Sequence, residues 1–359
     1  MDQFTGTQAM SAQHAVDVGA LQTWLTSHLP GFEGPLSIEQ FKGGQSNPTY
    51  KLVTPGRSYV MRSKPGPVSK LLPSAHAIER EFRVMGALAL TAVPVPRMHV
   101  LCEDESVIGR AFFIMECVTG RVLWEQSLPG MDGLQRREIY DEMNRVIAAL
   151  HSVDARSVGL DDFGRPGNYF SRQITRWSRQ YLASVTEPIA EMDQLIEWLP
   201  QHLPASALDP DQVAVVHGDY RLDNLIFHPA EPRIIAVLDW ELSTLGHPLA
   251  DFSYHAMSWH IPPGTFRGIG GLDHAALGIP GEREYIERYC QRVGRTDLDG
   301  LVADWDFYLA YNLFRLAAIT QGIAKRVVEG TAASSQARSS GAASRALAEM
   351  GWKFAQKSR

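Results

Sequence analysis

The chain has 359 residues, of which 45% are hydrophobic and 21% are charged, and its formal net charge is −6. This length fits one large or two modest domains. No apolar run is long enough to cross a bilayer, the first residues lack the pattern of a secretory signal, and no basic run is interleaved with aromatic residues. Three scattered cysteines favour reduced thiols over a disulfide framework or a zinc site. The sequence therefore predicts a soluble cytoplasmic protein that binds neither nucleic acid nor membrane, and it indicates no oligomeric state.

The first third of the chain predicts a helix, a small sheet and a second helix. Apolar residues at helical spacing indicate a helix over residues 14–29. Residues 37–53 read as a strand, a glycine-rich turn and a strand, and residues 57–65 read as a third strand. An amphipathic helix is predicted over residues 72–90, followed by two further strands within residues 93–118.

The remainder of the chain is mainly helical in its periodicity. Helices are predicted over residues 137–153, 168–185, 191–203 and 305–328, with a last helix after residue 342. Short apolar strands interrupt them within residues 214–220, 224–227 and 233–241.

These elements predict an α+β protein in three segments. The first is an N-terminal helical extension over residues 1–30. The second is an α+β lobe over residues 31–118, and the third is a larger, mainly helical lobe over residues 119–359.

The strongest chemical signal is the segment VVHGDYRLDNLIF followed by IIAVLDWE. Asp219 follows one apolar strand, Asn224 comes five residues later, and Asp239 ends a second apolar strand. Burial of unpaired carboxylates near a core is costly, so two strands that each end in one indicate a function.

A site for a metal and a triphosphate would explain this pattern. Phosphoryl transfer needs a carboxylate beside the acceptor, oxygen ligands for Mg²⁺ and cations on the phosphates. Asp219 is the candidate for accepting the proton of the acceptor hydroxyl, and Arg221 is the candidate cation on the transferred group. Asn224 and Asp239 are the candidate Mg²⁺ ligands, because Mg²⁺ prefers hard oxygen donors.

The segment HGDYRLDN resembles the catalytic loop of protein kinases, and LDWE resembles their Asp-Phe-Gly segment. Glycine after the histidine, and Trp-Glu after the aspartate, are similar instead to the aminoglycoside phosphotransferase and choline kinase branch. A closer resemblance is to the phosphotransferase domain at the N-terminus of some acyl-CoA dehydrogenases. It rests on FKGGQSNPTYKL, LLPSAHAIEREFRVMGAL, HGDYRLDNLIFHP and LDWELSTLGHPLADF, and it extends from about residue 30 to the end. This resemblance implies a protein-kinase-like two-lobe fold with ATP and Mg²⁺ between the lobes.

The same resemblance implies a phosphate-binding turn and a cation on the third strand. The turn is GGQSNPTY, and its candidate phosphate-binding residues are Gly43, Gly44, Ser46 and Asn47. The cation that pairs with the α- and β-phosphates would be Arg62, with Lys64 as the rival two residues later.

The resemblance also implies roles for three further residues. Glu81 would be the helix carboxylate that anchors the cation, although Glu79 lies nearby. The backbone groups of Glu116 and Val118 would recognise the adenine base of ATP.

The resemblance implies a small-molecule acceptor of the hydroxyacyl-CoA type, although an aminoglycoside-resistance kinase is an alternative. A catalytically silent nucleotide-binding regulator, and a metal hydrolase using His217, Asp219 and Asp239, are the alternatives from other classes. His217 is predicted to hydrogen-bond the backbone around the loop, and Asp251 is predicted to cap a helix or to brace the catalytic loop.

The C-terminal lobe offers further candidates. Arg315 and Gln321, on one predicted helix, are candidates for the acceptor cleft. His247, His255 and His260 have a spacing that fits no standard zinc site.

Overall fold

The computed structural model describes residues 6–10, 15–42, 47–65, 77–266, 268–330 and 341–358. The chain divides into two compact units. Unit 1 combines residues 1–122 with residues 224–242, and unit 2 combines residues 123–223 with residues 243–359.

Unit 1 is built on an antiparallel sheet. Its six strands are β1 (Thr7–Gln8), β2 (Ser37–Phe41), β3 (Thr49–Val53), β4 (Ser58–Ser63), β5 (Met98–Cys102) and β6 (Phe112–Glu116), in the order β1-β2-β3-β4-β6-β5. A three-stranded sheet joins β7 (Arg121–Val122), β9 (Leu225–Phe227) and β10 (Ile234–Val237). The helices are α1 (Val18–His28) and α2 (Ile78–Leu88).

The sheet and α1 share one apolar core. Leu21 and Leu25 of α1 are buried together with Tyr50 of β3, Tyr59 of β4 and Phe112 of β6. The N-terminal helix is thus part of the core of unit 1, whereas its sequence pattern suggested a separate extension.

The segment 224–242 belongs to unit 1, although the sequence-based division placed it in the C-terminal lobe. Strand β9 pairs with β7, in the register Arg121 opposite Phe227, and β10 pairs with β9. This pairing joins strands about a hundred residues apart, and strands of two to four residues have no periodicity that would reveal their partners.

Strand β4 and helix α2 place two charged residues on buried faces. Because side chains alternate across a strand, Arg62 lies on the face opposite Tyr59 and Met61, which enter the core. Glu81 falls on the buried face of α2, where the other buried positions are apolar: Ile78, Val84, Met85 and Leu88. The fold therefore buries a cation and an anion in unit 1.

Unit 2 is mainly helical. Its helices are α3 (Gly133–His151), α4 (Tyr169–Ser184), α5 (Ala190–Trp198), α6 (Ala205–Leu208), α7 (Pro248–Ala256), α8 (His274–Leu277), α9 (Glu282–Val293), α10 (Leu298–Val328) and α11 (Ser344–Lys357). One short antiparallel pair, β8 (Ala214–Val216) with β11 (Thr244–Gly246), lies among them. Helix α10 is buried along its middle and packs against α4, α7 and α11. Within the described ranges, no helix combines the length and apolar character needed to span a membrane.

Candidate active site

Arg62 of β4 is buried and is shared by three carboxylates of unit 1. Its Nε lies 3.3 Å from Oε2 of Glu81, and its Nη2 lies 2.8 Å from Oδ1 of Asp239 and 3.3 Å from Oε2 of Glu241. Four side chains from β4, α2 and the segment after β10 therefore form one ionic cluster, which we call the Arg62 cluster.

Glu81 is the most buried carboxylate of the Arg62 cluster, with 1% of its side chain exposed. Asn47 Nδ2 donates a 3.1 Å hydrogen bond to its Oε1. The pKa of Glu81 is raised to about 8, because burial and the charges of Asp239 and Glu241 outweigh the stabilisation by Arg62 and Asn47. The raised pKa reflects the burial of Glu81 and the crowding of carboxyl groups around one guanidinium.

Asp239 is held in an unusual backbone conformation two residues after β10. Its φ of 68° is in the left-handed region, which is unfavourable for a residue with a side chain. Leu238 N donates to Asn224 O at 2.8 Å, and the buried Trp240 donates from Nε1 to Val237 O at 2.9 Å. These contacts fix the turn and tie it to Asn224, while 34% of the Asp239 side chain remains exposed. The contact with Asn224 is through the main chain, and amide and carboxylate oxygens are the kind of hard donor that Mg²⁺ prefers.

The structure separates the roles of the two candidate cations. Lys64 pairs with Glu79, and both side chains are about one-third exposed. Arg62, not Lys64, contacts Glu81 and Asp239.

The remaining nucleotide-site predictions concern the phosphate-binding turn and the residues proposed to contact adenine. Gly43, Gly44 and Ser46 lie outside the described residues. Glu116 is the last residue of β6, and its N–H donates to Arg97 O at 2.8 Å. Val118 follows it and is half-buried. Adenine recognition by Glu116 and Val118 stays a prediction.

In unit 2, the segment after β8 positions Asp219. Tyr254 of α7 donates from its hydroxyl to Oδ1 of Asp219 at 2.6 Å, and Arg221 Nε lies 3.2 Å from the same oxygen. Asp219 N donates to Nδ1 of His217 at 3.1 Å. His217 is buried and accepts a hydrogen bond from the loop, as its predicted structural role requires.

Asp251 of α7 braces the main chain of the same loop. Its Oδ2 accepts from His217 N at 2.7 Å and its Oδ1 from Gly218 N at 2.8 Å, while His151 Nε2 lies 3.2 Å from Oδ2. Burial alone would raise the pKa of Asp251, but the contacts with His151 and His217 hold it below its usual value. Gly218 has a φ of 82°, which glycine adopts without strain.

Arg315 and Gln321 of α10 have different roles. Arg315 Nη2 donates to Gly218 O at 2.5 Å, and its guanidinium lies 4.8 Å from the centre of the Tyr254 ring. Gln321 is buried and donates from Nε2 to Ser184 O at 2.9 Å. Gln321 therefore joins α10 to the end of α4, and its role in an acceptor cleft stays a prediction.

The three histidines considered for a zinc site, His247, His255 and His260, make contacts within unit 2. His247 Nε2 lies 2.9 Å from Ser206 O, His255 Nε2 lies 2.8 Å from the Tyr285 hydroxyl, and His260 contacts Glu282. In the part of the chain that the structure describes, no group of three or more His, Cys, Asp or Glu side chains is arranged to hold a metal.

Sequence reasoning missed Tyr254, His151 and the position of Glu241 beside Arg62. Glu241 lies in the LDWE segment, whereas Tyr254 and His151 lie in no motif with a distinctive spacing. Tyr254 comes three residues after Asp251 on α7, so one turn of helix presents both to the catalytic loop. That helical spacing was the signal in the sequence that could have identified Tyr254.

Comparison with solved structures establishes the class of fold. A choline kinase from Cryptosporidium parvum has a TM-score of 0.64 at 11% identity and covers 95% of each chain. A thermostable mutant of the aminoglycoside phosphotransferase APH(4)-Ia, in ternary complex with AMP-PNP and hygromycin B, has a TM-score of 0.59 at 15% identity, covering 93% of this chain and 98% of the other. These likenesses confirm the predicted protein-kinase-like two-lobe fold, with an antiparallel sheet in one lobe and a mainly helical second lobe.

Sequence comparison identifies the family. Residues 37–300 match the model of the phosphotransferase enzyme family. The chain therefore belongs to that family. A Ralstonia eutropha protein, provisionally named an aminoglycoside phosphotransferase, is 62% identical, with a TM-score of 0.86 over 96% of this chain and all of its own.

Curated relatives are longer than this chain. Acyl-CoA dehydrogenase family member 10 of Mus musculus is 45% identical over 98% of this chain and 32% of its own length. A probable acyl-CoA dehydrogenase, IBR3 of Arabidopsis thaliana, is 40% identical over 96% of this chain and 43% of its own length. The chain thus spans less than half the length of these relatives.

The bracing role of Asp251 predicts a stability effect with a defined pH dependence. Asp251→Asn should lower the free energy of unfolding by about 3 kcal/mol at pH 7, because it removes a buried carboxylate that accepts hydrogen bonds from the loop. The folded-state pKa lies below the unfolded value of about 3.9, so the stabilisation is complete above that pH and is lost as pH falls through the folded-state pKa. Urea unfolding at several pH values should therefore show the wild-type advantage shrinking in acid.

The exposed Asp161 provides the matched control. Asp161→Asn should leave stability unchanged at every pH. An Asp251→Asn protein as stable as the wild type at pH 7 would contradict the bracing role.

Proposed function

We propose that this chain is an ATP- and Mg²⁺-dependent phosphotransferase that moves the γ-phosphoryl group of ATP onto a hydroxyl of a small molecule. The observation that carries the proposal is the Arg62 cluster. It gathers three carboxylates around one guanidinium and leaves Asp239 partly exposed in a constrained turn. Such a cluster gains stability from a divalent cation, which offsets the repulsion among its carboxylates.

The residues of unit 1 bind and orient the nucleotide in this proposal. Asn224 and Asp239 hold Mg²⁺, and Arg62 neutralises the α- and β-phosphates while Glu81 keeps its guanidinium in place. Mg²⁺-ATP supplies the phosphoryl group and the positive charge at the cluster. The ternary complex of the related fold with AMP-PNP supports the use of a nucleotide.

The residues of unit 2 act on the acceptor. Asp219 accepts the proton of the acceptor hydroxyl, and Arg221 stabilises charge on the transferred phosphoryl group. The Tyr254 hydroxyl donates a hydrogen bond to Oδ1 of Asp219. Asp251 accepts hydrogen bonds from the main chain of the two residues before Asp219. Asp219 and Asn224 belong to one sequence motif, in which they are five residues apart.

A hydroxyacyl-CoA is the proposed acceptor class. Its support is the similarity to relatives named as acyl-CoA dehydrogenases, whose length exceeds that of this chain. The provisional name of the Ralstonia eutropha protein supports an aminoglycoside acceptor as the second candidate.

Replacement of the proposed base tests the catalytic step. Asp219→Asn should lower kcat by about 10²–10⁴-fold, because a positioned general base contributes that much to a transfer reaction. The KM for ATP should remain near the wild-type value. Steady-state kinetics of ADP release measures both constants, and near-normal turnover would exclude Asp219 as the base.

Replacement of the proposed metal ligand tests the nucleotide site independently. Asp239→Asn should abolish the part of ATP affinity that depends on Mg²⁺, because the amide removes the charged ligand. Calorimetric titration of ATP with and without Mg²⁺ measures this difference. Lys64→Gln is the matched control, since it alters a neighbouring charge outside the Arg62 cluster; equal Mg²⁺ dependence in Asp239→Asn and wild type would refute the assignment.

An acceptor screen separates the remaining alternatives. Transfer of phosphate from ATP is measured against hydroxyacyl-CoA thioesters, choline-like alcohols and aminoglycosides such as hygromycin B. We expect turnover with the thioesters. Turnover with aminoglycosides alone would instead identify a resistance kinase, and Mg²⁺-dependent ATP binding without transfer to any compound would indicate a silent regulator.

A further inference from the structure

Arg315 is a buried cation beside the catalytic loop. Only 7% of the residue is exposed. Its guanidinium lies 4.8 Å from the centre of the Tyr254 ring and 5.6 Å from that of Trp177. Its hydrogen-bond acceptor is a neutral carbonyl, Gly218 O. Among the residues that the structure describes, no carboxylate comes within 4 Å of this guanidinium.

This environment leaves donors of Arg315 available. A guanidinium has five N–H donors, and the contact with Gly218 uses one nitrogen. Two aromatic faces stabilise the cation in part. The charge of Asp219 offsets part of the free-energy cost of burying this cation, and an anion bound beside it would offset more.

Two further donors accompany Arg315. Tyr311 lies four residues earlier on α10, on the same helix face. Its hydroxyl is buried and makes no hydrogen bond within the described residues, and the same holds for Nε1 of Trp177. Burial raises the pKa of Tyr311, so its hydroxyl keeps its proton and can donate.

The three side chains share one chemical character. Trp177, Tyr311 and Arg315, which we call the donor cluster, have N–H and O–H groups to donate, and buried donors normally have acceptors. A second cation, Arg176, lies 5.3 Å from the Trp177 ring. The charge and the donors together favour an oxygen-rich, anionic partner and disfavour a polycation.

We propose that the donor cluster is the subsite for the acyl oxygens of the acceptor, either the carboxylate of a hydroxy acid or the carbonyl of its thioester. This inference rests on the proposed function, because it assigns the acceptor of the same site. Tyr254 connects the subsite to the chemistry, since its ring lies against Arg315 and its hydroxyl binds Asp219. In this proposal, the side chain of Tyr254 lies between the acyl group and the base, Asp219.

Tyr311→Phe tests the subsite without disturbing the catalytic loop. The change removes a hydroxyl that has no partner in the described structure, so the melting temperature should stay the same or rise. Affinity for acyl compounds should fall by about tenfold, the effect of losing one hydrogen bond to a charged group. Ligand-observed NMR on the full chain measures the dissociation constants of straight-chain hydroxy acids, their CoA thioesters and the matching diols, which lack acyl oxygens.

A second tyrosine provides the control. Tyr181 of α4 is buried, and its hydroxyl accepts a hydrogen bond from Ile189 N. Tyr181→Phe removes the same atom from a position with a structural partner. It should lower the melting temperature and leave acyl affinity unchanged, the reverse of Tyr311→Phe.

The outcomes are distinct. Preference for free acids or for thioesters over diols, lost in Tyr311→Phe, supports the subsite and identifies which acyl form it takes. Equal binding of diols, unchanged affinity in Tyr311→Phe, or no binding of any acyl compound at millimolar concentration overturns it. Phosphate transfer from ATP is measured separately. Binding of acyl compounds without any phosphate transfer would refute the proposed function but not the subsite. Phosphate transfer to aminoglycosides and to no other compound would refute the subsite but not the phosphotransferase function.

Discussion

The buried guanidinium of Arg62 is the constraint on which unit 1 depends. A cation in this position must keep carboxylates within contact distance, since its removal from water is otherwise uncompensated. Glu81 from α2 and Asp239 from the segment after β10 meet this need. The same ion pairs therefore hold two distant pieces of chain together and set the position of the candidate metal ligand.

Unit 2 holds a single carboxylate, that of Asp219, in a fixed position. The loop around Asp219 is fixed through its main chain by Asp251 and through its side chain by Tyr254. Because both residues lie on α7, one rigid helix controls the backbone and the carboxylate together. Arg315 adds a contact with Gly218 O from α10.

The two units have opposite electrostatic character at these positions. The Arg62 cluster has an excess of carboxylates, which suits a divalent cation. The donor cluster has an excess of N–H and O–H groups, which suits an oxygen-rich partner. A phosphotransferase needs both kinds of surface, one for the metal-bound nucleotide and one that selects the acceptor.

Local periodicity and short motifs were enough to predict the family, the order of the main strands and helices, and the spacing of Asp219, Asn224 and Asp239. It also indicated Arg62 and Glu81, although Lys64 and Glu79 remained as rivals. Tertiary structure alone showed that Arg62 contacts Glu81 whereas Lys64 contacts Glu79, placed residues 224–242 in unit 1, and brought Tyr254 to Asp219 and Arg315 to Gly218. These contacts join residues far apart in the chain, and such contacts depend on how the helices and strands pack, which no local pattern records.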